Sequence, residues 1–280
     1  MDQRSSDQRS LDQRSSGQCF STEDFIIHLF CRIDRAMLQV KKHSQALLWP
    51  SEIVTLAILF ALKGKGQRAF HRWAKRDLLK LFPELPERTR LFRLFGEHLD
   101  WARRFLADPT LFGVADSFGI ELIQTRRLGR SNRQIAKRGF CGGRWIAGAK
   151  MGLVINGEGQ LCAWDISTAN TYDANAFSRL IQAYEGRMIV LADCNFHKSP
   201  FHRKHEVDPS NLKICPRGQW NQRRLVETVL SMIDRVCGLK RLAERSWKML
   251  KARIAFAAAA FNILTSWNGK PRLSIAQFSL

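Results

Sequence analysis

Met188-Ile189-Val190-Leu191-Ala192-Asp193 is a short apolar run closed by a carboxylate. Its length, its β-branched residues and the polar residues on either side predict a buried strand over 187–193. Upstream, Leu111-Phe112-Gly113-Val114-Ala115-Asp116-Ser117 has the same form, an apolar strand with an acid near its end. Between the two, residues 144–155 alternate loosely and include Trp145, Ile146, Val154 and Ile155. Asn156-Gly157-Glu158-Gly159 then supplies a hairpin turn, and 160–168 is the returning strand. Residues 171–184 form a helix capped by Thr171 or Asp173. Beyond Asp193, Leu212 to Cys215 is a short strand closed by Pro216, and helices cover 222–236 and 243–267. The order is three strands, helix, strand, short strand, helix, helix. It predicts an α/β domain over 109–280, a mixed five-stranded sheet flanked by helices. The last helix contains Ala252-Arg253-Ile254-Ala255-Phe256-Ala257-Ala258-Ala259-Ala260, apolar nearly all round, and so belongs inside.

The chain before this region has a different texture. Residues 1–20 carry Asp-Gln-Arg-Ser three times with almost no apolar side chain, a composition expected to stay disordered. Residues 21–108 predict a small all-helical domain. Phe25, Ile26, Leu29, Ile33, Met37 and Val40 follow helical spacing behind an N-cap signal at Ser21-Thr22-Glu23-Asp24. Ser51-Glu52 opens a second helix that Gly64 and Gly66 stop, and 71–82 and 88–106 are two more, separated by Pro83 and Pro86. Helix-turn-helix DNA binding and plain helical packing fit this pattern equally.

Charge sets the class of partner. The formal net charge is +20 over 280 residues, with a pI near 10.3. That favours nucleic acid first and an anionic membrane surface second. No apolar run reaches the roughly 18 to 20 residues of a membrane span, and the N-terminus has no apolar signal core, so a cytoplasmic location is expected. The seven cysteines are scattered singly, with no Cys-x-x-Cys pair, which speaks for reduced thiols rather than a zinc site. No Gly-x-Gly-x-x-Gly or Walker-type loop calls for a nucleotide cofactor. Ser117 lacks the elbow and the partners of a serine nucleophile.

Two aspartates at strand ends and Glu227 on the helix 222–236 form an acidic trio in a basic chain. Such oxygens suit hard Mg²⁺ or Mn²⁺ ions, two of which share closely spaced carboxylates in phosphodiester chemistry. Singly, each acid has a plainer role: strand-end aspartates are common caps, and Glu227 could pair with Arg223 one turn earlier.

The segments Ala115-Asp116-Ser117-Phe118, Leu191-Ala192-Asp193-Cys194-Asn195-Phe196 and Arg223-Arg224-Leu225-Val226-Glu227-Thr228-Val229 resemble those of DDE transposases of bacterial insertion sequences, in the ribonuclease H-like superfamily. The resemblance implies a ribonuclease H-like catalytic domain with Asp116, Asp193 and Glu227 as catalytic metal ligands for two Mg²⁺ (or Mn²⁺) ions. It also implies DNA partners, namely terminal inverted repeats and target DNA, and a homodimer that joins two ends. Recognition of the terminal repeats would fall to the helical domain. In the third segment Trp220, Arg223, Glu227 and Asp234 stand where the family usually has Tyr, Arg, Glu and Lys, so Asp234 reverses a charge. A relative that binds DNA without cutting it is the alternative reading.

Residues 122–157 contain no acid. Arg126, Arg127, Arg130, Arg133, Lys137 and Arg138, together with Arg144 and Lys150, predict a flexible basic loop at the mouth of the metal site, set to hold a DNA backbone. Lys198, Arg223 and Arg224 are further DNA-contact candidates, Arg223 fitting an ion-pair role equally. His197 is placed to approach a phosphate, and His202 and His205 fall in a basic loop. Trp145 is expected in the core.

Overall fold

The computed structural model describes residues 21–197, 208–215, 223–269, 275–278 and 280. The repeat at 1–20, and with it Lys198, His202, His205 and Trp220, lies outside the described residues, as does the side chain of Arg223.

Four helices come first: α1 (Thr22–Met37), α2 (Pro50–Lys63), α3 (Gln67–Asp77) and α4 (Arg88–Glu97), followed by a 3₁₀ segment, Leu99–Phe105. Their starts follow local capping chemistry. The Ser21 hydroxyl accepts from the Asp24 N–H at 3.1 Å, and Glu52 accepts from the Trp49 N–H, with Pro50 as the first helical residue. Gly64 ends α2 in the left-handed region at φ 62°. The helix expected over 88–106 breaks after Glu97, where Asp100 pairs with Arg103 in the tighter 3₁₀ turn.

The sheet consists of β1 (Phe112–Ile123), β2 (Lys137–Cys141), β3 (Arg144–Asn156), β4 (Leu161–Thr168), β5 (Ile189–Ala192) and β6 (Leu212–Ile214), with helix α5 (Asp173–Gln182) between β4 and β5. It is mixed and has the order β2-β3-β1-β5-β6, with β4 also on β3. Strand β3 is long enough to hold two partners along one edge, β2 against Arg144–Gly148 and β4 against Ala149–Ile155. Omitting β2, the order β4-β3-β1-β5-β6 is that of a ribonuclease H-like sheet. β2 is the one strand the sequence did not suggest. It forms a two-residue hairpin with β3, and Gly142 and Gly143 at its tip both have positive φ.

Alternation along β1 sorts the two faces. Val114 and Ile120 join the large core, whereas Ala115 joins a smaller core with Phe177 and Ile181 of α5. On the large-core face lie α6 (Arg223–Cys237) and α7 (Trp247–Trp267). Val226, Val229 and Ile233 of α6 pack there with Val114, Leu153 and Leu191.

Helix α7 is buried from Ala252 to Thr265, as its apolar sequence requires, and packs on α2, α4 and the 3₁₀ segment as well as on β4. The helices before β1 therefore share one continuous core with the sheet through α7. Two polar residues on α7 make the join specific. The Asn262 amide accepts from the Leu161 N–H at 2.8 Å and donates to the carbonyls of Leu161 and Phe105, each at 2.8 Å. Arg253 lies over the Phe60 ring at 3.9 Å and donates to the carbonyls of Lys65 and Ala61 near the α2 C-terminus. Burial pulls its pKa down to about 10, against the charge of Glu244. Asn262→Leu is expected to strand three backbone groups and cost about 3 kcal/mol or more, measured by urea unfolding.

Candidate active site

Strands β1 and β5 run parallel, in register from Phe112↔Ile189 to Val114↔Leu191. Asp116 lies two residues beyond the last paired residue of β1, and Asp193 two beyond that of β5. Asp116 has the face parity of Val114, and Asp193 that of Leu191, and both those apolar residues belong to the large core. Both carboxylates line one cleft.

Local bonding orients each acid. Asp116 accepts from the Ser117 N–H at 2.7 Å. Asp193 begins a 3₁₀ turn and accepts from both the N–H and the side-chain amide of Asn195, at 3.0 and 2.9 Å. The plain role of a strand-end cap is thus met in Asp193.

β1 leaves β5 after Val114 and is next held on that edge at Glu121, which donates its N–H to Lys240 O and accepts from the Leu242 N–H. The gap between these pairings opens as a cleft of about 760 Å³ whose lining includes Asp116, Asp193, Asn195, Arg144 and Lys240. Lys240 is held there by Asp234, which accepts from its N–H at 2.9 Å and pairs with its ammonium at 3.2 Å. The charge reversal at Asp234 in the sequence is therefore met by a nearby cation that faces the cleft.

A second acid–base group, which the sequence did not reveal as a unit, reaches the cleft from the opposite face. Asp173, at the start of α5, pairs with Lys150 of β3 at 2.8 Å, and their side chains are only 9% and 12% exposed. Its other oxygen accepts from the Ser117 hydroxyl at 2.8 Å. The capping signal at Asp173 was visible in the sequence. Its partner, 23 residues earlier on another strand, was not.

Glu227 does not line the cleft. It is exposed on the early part of α6, over the face that carries Asp116 and Asp193. Among the described residues, no set of three or more His, Cys, Asp or Glu side chains is grouped so as to hold a metal ion. Carboxylate oxygens of the kind Asp116 and Asp193 bring to one cleft are the type of ligand that hard divalent cations take.

Residues 103–215 match the family model of the transposase DDE domain. That stretch of the chain is similar to a transposase DDE domain. The match takes in Asp116 and Asp193 and ends before Glu227. No curated protein matches the chain. Domains of this family act on DNA and generally use divalent metal ions. No helix among the described residues is long and apolar enough to cross a membrane.

The basic run beside the cleft departs from the single flexible loop the sequence suggested. Arg126 and Arg127 sit in a 3₁₀ turn, and Gln134 ties that segment together by accepting from the Gly129 N–H and donating to Arg127 O. Lys137 and Arg138 lie on β2. Arg126, Arg127, Arg130, Arg133, Lys137 and Arg138 are all exposed. Lys150 is not part of this surface, because its ammonium is committed to Asp173 inside the α5 layer. Trp145 is not in the core either: it is 57% exposed, because it lies near the hairpin tip, beyond the helices that cover the rest of that face. Arg224 is exposed on α6, and His197 pairs with Asp208 at 2.6 Å.

Proposed function

We propose that the chain is a DNA transposase that cleaves the ends of its element and joins the freed 3′-hydroxyl strands to target DNA. The observation that carries this reading is that Asp116 and Asp193 line one cleft together with Arg144 and Lys240. In the first step water attacks the scissile phosphorus, the bond to the 3′ oxygen breaks, and that oxygen leaves as a 3′-hydroxyl. In the second, that hydroxyl attacks a target phosphodiester and displaces a target 3′ oxygen. Asp116 and Asp193, completed by Glu227 from α6, would hold two Mg²⁺ or Mn²⁺ ions. Such ions activate the attacking oxygen and neutralise charge on the leaving one.

The protein's own groups position the strands. Arg144 and Lys240 hold phosphates in the cleft, and the exposed cations at 126–138, with Lys198, Arg223 and Arg224, extend the contact along the duplex. These contacts carry position rather than sequence, so recognition of the terminal inverted repeats is assigned to residues 21–108. Joining two ends calls for a homodimer.

The placement of Glu227 outside the cleft favours a second reading, in which the chain binds DNA without cutting it. Incubating the protein with terminal-repeat DNA and Mg²⁺, and resolving nicked and joined products, separates the two. Metal-dependent nicking followed by joining is the expected result. Retained DNA binding with no product in either Mg²⁺ or Mn²⁺ would leave only the binding function.

A further inference from the structure

The β2–β3 hairpin presents two large aromatic side chains to solvent. Phe140 and Trp145 are directly opposed across the strands, their ring centroids lie 5.6 Å apart with planes inclined at 68°, and each is 57% exposed. Nothing in core packing accounts for this pair. Apolar surface of this size left in water is a cost unless a partner covers it.

Position and charge indicate the partner. Phe140 lines the cleft that holds Asp116 and Asp193. Trp145 has the face parity of Ala149, Met151 and Leu153, all in the large core, so the pair lies on the side of the sheet that carries the two aspartates. Along β3 it is eight residues from Leu153, the partner of Asp116. At about 3.3 Å per residue, that is about 26 Å. The surroundings are cationic: the Arg138 guanidinium lies over the Trp145 ring at 4.8 Å, and exposed Arg144 adjoins Trp145 in the chain. An acidic or purely apolar partner peptide would not explain both features. A nucleic-acid strand does, since cations take its phosphates and a ring face takes an unstacked base.

We infer that Phe140 and Trp145 form a stacking platform for an unpaired base of the DNA strand that runs through the cleft, several nucleotides from the acidic pair. Arg138 holds the indole in place and lies within reach of the adjoining phosphate. The tight Gly142–Gly143 turn keeps the two strands, and with them the two rings, in fixed register. The inference rests on DNA being the substrate of the cleft but not on catalysis.

The test is equilibrium binding by the full chain without divalent metal, so that loss of cleavage cannot imitate loss of stacking. Two probes of one sequence are compared, a blunt duplex and the same duplex with a short single-stranded tail. Wild type should prefer the tailed probe. Trp145→Ala should weaken binding of the tailed probe by about tenfold or more and leave blunt-duplex binding unchanged, and Trp145→Phe should restore most of the loss. Thermal unfolding of Trp145→Ala should match wild type, since the ring is exposed. Equal loss on both probes, or no loss on either, overturns the platform while leaving the proposed transposase function intact. Failure of wild type to bind either probe would overturn both.

Discussion

Asp116→Asn and Asp193→Asn should each abolish metal-dependent strand cleavage while leaving DNA affinity unchanged. Each substitution replaces one carboxylate oxygen with an amide nitrogen of nearly the same shape. The packing around β1 and β5 is preserved, and one anionic ligand is lost. A metal ion contributes several kcal/mol of charge stabilisation in phosphodiester chemistry. At roughly tenfold per 1.4 kcal/mol, the cleavage rate should fall by about 10³-fold or more. Single-turnover nicking with Mg²⁺, alongside a metal-free binding titration, gives both numbers. A drop of only a few-fold in either variant would mean that the aspartate serves as the strand-end cap it also resembles. Glu227→Gln should behave like the two aspartate variants, with no change in stability, because Glu227 is exposed.

Asp173→Ala should be the most destabilising single change near the cleft. It leaves the Lys150 ammonium, 12% exposed, without its counter-charge and removes the acceptor of the Ser117 hydroxyl. Breaking one partner of a buried pair costs about 3 to 5 kcal/mol. Replacing both, as Lys150→Met with Asp173→Leu, should recover most of that, because two apolar side chains of similar size need no counter-charge. Urea unfolding of the two proteins measures the contrast. A loss in Asp173→Ala no larger than that of an exposed ion pair, under about 1 kcal/mol, would show that the pair is hydrated. Because Ser117 follows Asp116 directly, the double variant also shows whether this network helps to aim Asp116: cleavage should survive where the fold does.

Much of the sheet was legible because its strands are short apolar runs with clear stops. The runs ending at Asp116 and Asp193 are such strands, and Asn156-Gly157-Glu158-Gly159 is the hairpin turn expected between β3 and β4. The N-terminal helices were legible through caps such as Ser21 and stops such as Gly64. β2 was not, because Lys137-Arg138-Gly139-Phe140-Cys141 has neither an apolar face nor alternation. Its pairing is set by the Gly142–Gly143 turn and by β3, which was assigned another partner. Trp145 was misplaced for the same reason: without β2, nothing marked it as lying near a hairpin tip beyond the helix layer. Lys150 looked like one more cation in an acid-free window, since its partner Asp173 is adjacent only in the folded chain. Asp116 and Asp193 come to one cleft through the parallel pairing of β1 with β5, which no local pattern encodes. Lys240 could not be singled out either, because it reaches the cleft through the pairing of residues 240–242 with Glu121.

The claim on which the rest depends is that Asp116, Asp193 and Glu227 share divalent ions when DNA is bound. Replacing Mg²⁺ by Fe²⁺ in the DNA complex and generating hydroxyl radicals at the metal cuts the protein backbone next to the ion. The account predicts cuts beside Asp116, beside Asp193 and in the first turns of α6 around Glu227, all lost together in Asp193→Asn. Cuts confined to the neighbourhood of Lys150 and Asp173, or cuts at the two aspartates with none in α6, would contradict it.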